Sequence, residues 1–261
     1  MKYLACDLDG TLVNNNSIKD EDIKAILKLK EKGYKFIIST GRSLSGIDSV
    51  FDKYPEVKYD YIVSCNGCVI LDKNREIIYD NHITSDIAEA VFKEFIDEEN
   101  ICIHFESKGK NYLVDPIKTD DIEDLINYFQ EIISIEDLFK DKRDYAIISL
   151  FARNKDMTTA EVAKSKLTNR FGDKLEAFRN QYFIDIVPKD CSKGNGMLKV
   201  LELDGGNIEK LYTIGDSYND ISMFKITENS FTFKNSEDGV KAEANNYVDS
   251  VSECIEKLLE S

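Results

Sequence analysis

The sequence predicts an α/β protein, a doubly wound parallel sheet interrupted by an α+β unit. Three observations carry the prediction. Short apolar runs alternate with helical segments up to about residue 65 and again from Pro188 onward, the rhythm of parallel strands joined by crossover helices. Between about residues 83 and 187 the rhythm changes to helices, paired strands and a tight turn, the pattern of an antiparallel sheet with helices on one face. Finally, core runs in both outer parts stop abruptly in polar signatures, and in an open α/β sheet ligands collect where strands end. The expected organisation is a discontinuous core, residues 1–82 and 188–261, with residues 83–187 inserted as a second domain.

Tyr3 to Cys6 is an apolar run that reads as a buried strand, ending in Asp7-Leu8-Asp9-Gly10-Thr11. A helix is expected from Ser17 to Lys32, with Ile23, Ile26 and Leu27 on one face and Gly33 just past its end. Tyr34 to Thr40 is a second buried strand, running into Gly41-Arg42. A helix from about Leu44 to Lys53, Pro55 and a third strand at Tyr61 to Ser64 follow. Cys65-Asn66-Gly67-Cys68 has the C-x-x-C redox spacing, but Asn-Gly between two apolar runs predicts a hairpin instead.

The inserted segment reads as a helix (Ser85 to Glu99), a strand (Ile101 to Phe105), a Lys-Gly-Lys-Asn turn and a strand (Tyr112 to Val114). A helix (Asp120 to Ile133), a strand (Asp144 to Ala152), a helix (Thr158 to Phe171) and strands near Leu175 to Phe178 and Tyr182 to Val187 complete it. The aromatic pairs Phe92/Phe95 and Tyr128/Phe129 fit core stripes of these helices, and Asp97-Glu98-Glu99 fits a solvated helix end. Beyond Pro188, Ser192-Lys193-Gly194 precedes a helix to about Leu203 that presents Met197, Leu198 and Leu201 and is broken by Gly205-Gly206. Leu211 to Ile214 is a buried strand ending in Gly215-Asp216, then Ser217-Tyr218-Asn219-Asp220 and a helix start. Ser230 to Phe233 and a helix from Ser252 to Leu259 close the chain.

Composition narrows the function classes. With 49 acidic against 34 basic residues the formal net charge is −15, which opposes binding to nucleic acid or anionic lipid. Any phosphate pocket must therefore concentrate positive charge or metal locally. No stretch approaches the ~18 apolar residues of a membrane span, and no signal-peptide pattern is visible. The six scattered cysteines fit reduced, buried thiols, so a cytoplasmic location is expected, and two histidines nearly exclude a His-rich zinc site.

The chemistry-bearing residues sit at the predicted strand ends. Asp7 and Asp9 repel each other as anions unless a cation or proton lies between them, so the pair suggests a bound divalent metal, acid–base chemistry, or both. Parallel strands bring their carboxyl ends to one edge, which lets Asp7, Thr40 and Asp216 converge with Lys193 across the chain. Phosphoryl transfer requires such a set: a nucleophile, a hard cation, and hydroxyl and ammonium donors to hold phosphate oxygens in line.

In these motifs the sequence resembles the haloacid dehalogenase-like superfamily, in particular its Cof-type phosphatases. The matching residues are Asp7-Leu-Asp9-Gly10-Thr11-Leu12, Ser39-Thr40-Gly41-Arg42, Asn66-Gly67, Ser192-Lys193-Gly194 and Gly215-Asp216-Ser217-Tyr218-Asn219-Asp220, in the family's order. The resemblance implies a Rossmann-like core with an inserted α+β cap that selects substrate. It implies Asp7 as a nucleophile that becomes an aspartyl-phosphate, and Asp9 as general acid and then base. Phosphate contacts would come from Leu8, Thr40, Gly41 and Lys193, and Asn219 would reach the phosphate or a metal-bound water. Mg2+ would be held by Asp7, the Asp9 backbone carbonyl and Asp216, with Arg42 and Asp220 in support.

Aspartate at position 9 separates phosphatases and phosphomutases, by resemblance, from the dehalogenases and transport ATPases. The stretch Glu228 to Ser236 departs from the family pattern in lacking its alanine- and methionine-rich sequence. By themselves, Thr11 reads as a turn or cap hydroxyl, Asn66 as a hairpin residue and Arg42 equally as an ion-pair partner. The expected function is a magnesium-dependent phosphatase of small phosphorylated metabolites, a monomer or weak homo-oligomer. A sugar phosphomutase, a metal-dependent glycosyltransferase and a non-catalytic phosphometabolite sensor are the alternatives. The glycosyltransferase predicts no role for Lys193, and a sensor should have lost Asp7 or Asp9.

Overall fold

The structure is a computed structural model that describes residues 1–114 and 131–260. It divides into two compact units. The first comprises Met1–Gly41, Ile47–Tyr79 and Ser192–Ser261, and the second Arg42–Gly46 and Asp80–Cys191.

The first unit opens with β1 (Tyr3–Cys6), β2 (Lys35–Ser39), β3 (Tyr61–Ser64), β4 (Val69–Asp72) and β5 (Ile77–Asp80). β1, β2 and β3 are parallel neighbours, and β4 folds back antiparallel on β3. The Cys65–Cys68 segment is therefore a hairpin connection, as expected, and all six cysteines are free thiols. The connection is a 3₁₀ turn over Cys65–Gly67 rather than a two-residue loop. The first helix begins at Asp20, not Ser17, because Ser17 is tied into a small turn with Asn14. Its buried face is Ile23, Ile26 and Leu29, whereas Leu27 is exposed. The next helix, Leu44–Phe51, ends two residues before Lys53.

In the second unit β6 (Ile101–Ser107), β7 (Lys110–Val114), β8 (Glu131–Ile133), β9 (Ile147–Ala152), β10 (Leu175–Asn180) and β11 (Phe183–Pro188) form one sheet in the order β10-β11-β9-β6-β7-β8. The pairings are antiparallel except that β8 runs parallel to β7. Helices Ser85–Phe95 and Met157–Phe171 cover one face, burying Val91, Phe92, Phe95, Ala160 and Leu167 against Ile103, Phe105, Ile148, Leu150 and Ile184. Phe105 stacks edge-on or tilted with Phe92, Phe139 and Tyr145. The helix expected over Asp120 to Ile133 is corrected at its end: Glu131–Ile133 is a strand, paired to Tyr112–Val114. Its remainder, with the pair Tyr128/Phe129, lies outside the described residues. A short helix, Ile135–Lys140, escaped the sequence reading because six residues carry too little periodicity.

The chain returns to the first unit through helix Lys193–Asp204, then β12 (Leu211–Ile214), β13 (Ser230–Phe233) and β14 (Asn246–Val248). The completed sheet runs β14-β13-β12-β1-β2-β3-β4-β5, parallel from β14 through β3. Tyr3, Ala5, Ile37 and Val63 pack beneath Met197, Val200, Leu201, Met223 and Phe224. Leu198 is exposed, and Val200 takes the place it was expected to fill. Helix Asp20–Glu31 packs against the closing helix Val251–Glu260 and caps it, Asp22 Oδ1 accepting from the Ser252 N–H at 2.7 Å. The departure over Glu228 to Ser236 does not disturb the sheet, since Ser230–Phe233 is a fully buried strand between β12 and β14. In sequence β1 leads to β2 on one side while β12 lies on the other. The strand order therefore reverses at the carboxyl ends of β1 and β12, the crevice where open α/β sheets bind ligands.

Candidate active site

β1 delivers Asp7 to that point. Its backbone N–H extends the ladder by donating to Ile214 O at 3.0 Å, and only 4% of the residue is exposed. The chain then turns tightly: Leu8 O accepts from both Thr11 N (3.2 Å) and Val13 N (2.7 Å), which buries Leu8 and leaves Asp9 half-buried beside the turn.

β12 delivers the second carboxylate. After Gly215, Asp216 receives a hydrogen bond from Thr11 Oγ1 at 2.7 Å on Oδ1. Ser217 and Asp220 form a capping box, so the Asp220 side chain is turned back on its own loop. Asp220 Oδ2 accepts from the N–H groups of Asp216 and Ser217, both at 2.9 Å.

Lys193 is the first residue of its helix, placed by the N-cap Ser192, whose Oγ accepts from Asn195 N at 3.0 Å. The side chain is 1% exposed, and Nζ lies 2.6 Å from both Asp7 Oδ1 and Asp220 Oδ1. Among the described residues, Asp7, Asp216 and Asp220 also offer carboxylate oxygens within 4.8 Å of one another.

One ammonium thus faces three carboxylates. Burial works against the Lys193 charge, but Asp220 and Asp7 outweigh it and hold the ammonium protonated beyond a free lysine. Burial raises the Asp7 carboxyl well above the usual range, and Asp220 raises it further against the pull of Lys193. Burial and then Asp220 push Asp216 up to about 6, although Thr11 opposes the shift. Negative charge is in excess here, and all the donors are hard oxygens, the setting that a small divalent cation fits. Asp220 is the poorest ligand of the three, because Lys193 and two backbone N–H groups already occupy its oxygens.

The second and fifth motifs meet through Asn66. Thr40, at the end of β2 and 1% exposed, accepts from the Asn66 N–H at 3.0 Å on its carbonyl. Asn66 Oδ1 accepts from Asn219 Nδ2 at 3.2 Å. Gly41 follows Thr40 at the limit of the first unit. The Asp9 carboxylate is not part of the three-carboxylate group. Arg42 groups with the second unit, where its Nη1 donates to Gly46 O at 2.9 Å. The residue that sequence reasoning set aside is Thr11, which proves to hold Asp216. Its partner lies 205 residues away, so no local signal could have shown the contact.

Residues 4–255 match the haloacid dehalogenase-like hydrolase family. A 5-amino-6-(5-phospho-D-ribitylamino)uracil phosphatase of Bacillus subtilis is 26% identical, the match covering 92% of this chain and 90% of that one. Among solved structures, a putative HAD/COF-like hydrolase from Plasmodium vivax superposes with a TM-score of 0.87 at 22% identity, over 100% of this chain and 96% of the other. A HAD subclass IIB sugar phosphatase does so with a TM-score of 0.82 at 21% identity, over 100% and 98%. At such identities the structural likeness is one of fold, and the family rests on the match that spans nearly the whole chain. This protein is an enzyme of the haloacid dehalogenase-like hydrolases, in their Cof-type branch.

Proposed function

We propose that the protein is a magnesium-dependent phosphatase of small phosphorylated metabolites, sugar phosphates or similar monoesters, working through an aspartyl-phosphate on Asp7. The observation that carries this reading is the buried Lys193 ammonium, 2.6 Å from Asp7 Oδ1 and from Asp220 Oδ1. A carboxylate that attacks an anionic phosphate needs its own charge offset, and a compact ammonium provides this without leaving the site.

Asp7 and Asp216, with the Asp9 carbonyl, would hold Mg2+, which supplies positive charge against the phosphate oxygens. Asp7 attacks phosphorus as the bond to the leaving oxygen breaks, and Asp9 gives that oxygen a proton. Asp9 then takes a proton from the water that attacks the aspartyl-phosphate, releasing phosphate and restoring Asp7. Leu8, Thr40, Gly41 and Lys193 hold phosphate oxygens, Asn219 reaches either the phosphate or a water on the cation, and Asp220 and Arg42 support the set.

Residues 83–187 act in this reading as a cap that selects substrate. The face of its sheet opposite helices Ser85–Phe95 and Met157–Phe171 pairs His104, Ser149 and Asp185 side by side across β6, β9 and β11, with Ser149 Oγ 2.7 Å from Asp185 Oδ1. Burial lowers His104 to about 4, so its imidazole is neutral at physiological pH. Neutral and acidic groups together suit a hydroxyl-rich leaving group better than a second phosphate. The Bacillus subtilis relative, named for a phosphorylated ribitylamino compound, is consistent with this. The six free thiols agree with a cytoplasmic location, and no helix among the described residues is long and apolar enough to cross a membrane.

The test is phosphate release from para-nitrophenyl phosphate and a panel of phosphorylated sugars and polyols, comparing wild type with Asp7→Asn, each with and without Mg2+. Metal-dependent release that is lost in Asp7→Asn is the expected result. Retained turnover in that variant would sink the aspartyl-phosphate. Transfer of phosphate to a sugar rather than to water would make the enzyme a mutase.

A further inference from the structure

Asn66 adopts a left-handed backbone (φ 50°, ψ 38°) inside the 3₁₀ turn between β3 and β4. It is wholly buried, although it lies in a connection between strands. Three separate motifs touch this one turn. The Asn66 N–H donates to Thr40 O, and Asn66 Oδ1 accepts from Asn219 Nδ2. Next to it, a Cβ on Gly67 would stand 2.1 Å from Ser192 O, the residue that caps the Lys193 helix, so only glycine fits there.

Asn219 is 2% exposed, and its Oδ1 is buried without a hydrogen-bond partner. Leaving a buried amide oxygen unsatisfied costs about 1–3 kcal/mol, so such an atom needs a donor when the protein is working. Because Nδ2 is committed to Asn66, the unpartnered end of the amide is an acceptor. A phosphate oxygen cannot satisfy an acceptor, whereas the O–H of a water on the cation can. Asn219 immediately precedes Asp220, whose carboxylate shares Lys193 with Asp7, so the amide belongs to the same loop as the acidic group.

We propose that Asn66 is a positioning residue: it holds the Asn219 amide with Oδ1 available to accept from a water on the bound cation. The proposal rests on the magnesium reading above, and sharpens it, because it assigns Asn219 to the cation's water rather than to phosphate. Groups that orient the ligand shell of a metal in this way change its affinity by about 10–100-fold when removed.

The experiment measures Mg2+ binding by titration calorimetry without substrate, alongside kcat and KM with para-nitrophenyl phosphate and the melting temperature. Asn66→Gly keeps the left-handed backbone and removes the acceptor for Asn219 Nδ2. It should weaken Mg2+ binding about tenfold or more, with KM for the ester little changed once Mg2+ is saturating. Asn66→Asp restores an acceptor oxygen at the same place and should recover Mg2+ affinity, which also covers the case in which Asn66→Gly does not fold. In an Asn219→Ala background, Asn66→Gly should cost nothing further. Equal Mg2+ affinity in wild type and Asn66→Gly overturns the positioning role alone. So does an Asn66→Gly penalty that persists undiminished on Asn219→Ala. A wild type that binds no Mg2+ overturns the functional reading along with it.

Discussion

Lys193 Nζ lies 2.6 Å from Asp7 Oδ1 while the two side chains are only 1% and 5% exposed. Removing one member of a buried ion pair leaves the other charged and unsolvated, at a cost of about 3–5 kcal/mol. Here the loss is doubled in kind, because Asp220 shares the same ammonium. Lys193→Met, which keeps much of the volume, should lower the melting temperature of the metal-free protein. It should also reduce kcat/KM by about 10²–10³-fold, as loss of a charge-stabilising donor does elsewhere. Both the ground-state phosphate and the transition state lose the ammonium, so KM should rise as kcat falls. A fall in kcat with KM unchanged would mean that Lys193 acts on Asp7 alone.

Asp216 is expected to show opposite effects on stability and function. Burial and the neighbouring Asp220 raise its carboxyl to about 6, so the ionised form is disfavoured in the folded, metal-free state. Asp216→Asn removes that repulsion and can still accept from Thr11 Oγ1. Without metal it should melt a few degrees higher than wild type, about 2–4 °C per kcal/mol for a chain of this size. With Mg2+ the order should reverse, because wild type gains binding energy that the variant lacks. Melting curves with and without Mg2+ test both signs. An Asp216→Asn protein stabilised by Mg2+ as strongly as wild type would remove Asp216 from the ligand set.

What could be read from the sequence and what could not follow from the range of each signal. Asp7, Lys193, Asp216 and Asp220 stand within a few residues of a strand end or helix start, and each motif announces its own element. Thr11 with Asp216 and Asn66 with Asn219 are contacts across 205 and 153 residues, made only when the sheet brings β1, β3 and β12 together. β14, with three residues, is too short for alternation to register. The two exposed isoleucines of β5, Ile77 and Ile78, give no buried face to detect. The helix faces differ from expectation at single positions, Leu29 being buried in place of Leu27 and Val200 in place of Leu198, since several apolar residues in each helix satisfy nearly the same spacing.

A half-buried carboxylate away from the site, Asp204, has no motif at all and lies at the opposite ends of the strands. Tyr3, Lys35 and Tyr61 begin β1, β2 and β3, and all three donate to it, the tyrosines at 2.6 and 2.7 Å. Burial opposes its ionisation, but the bonds from Lys35, Tyr3 and Tyr61 outweigh burial and hold its carboxyl below the usual range. With the folded pKa below the unfolded one, its contribution is complete above about pH 4. That contribution fades as pH falls through the depressed folded value. Asp204→Asn should cost about 2 kcal/mol at pH 7, typical of charge-assisted hydrogen bonds, and should flatten the acid limb of a stability–pH curve. Turnover at saturating Mg2+ should be unchanged. An unaltered acid limb would show that Asp204 is not the group lost there.

Gly10 and Gly33 both occupy the left-handed region, at φ +83° and +79°, yet they differ in what surrounds them. A Cβ on Gly33 would meet nothing within 4 Å, whereas one on Gly10 would lie 2.5 Å from Asp216 Oδ2. Alanine at either position bears the backbone cost of about 1–2 kcal/mol. Only at Gly10 must a carboxylate of the proposed metal site also move. Gly33→Ala should therefore melt lower than wild type and keep its Mg2+ affinity and kcat. Gly10→Ala should show a similar or larger loss of stability together with at least a tenfold loss of Mg2+ affinity, as displaced ligand shells do. Subtracting one variant from the other isolates the clash with Asp216 from the strain of the turn. If Gly10→Ala bound Mg2+ as tightly as Gly33→Ala, the Asp216 carboxylate would not need the position it holds beside Gly10 in order to bind the cation.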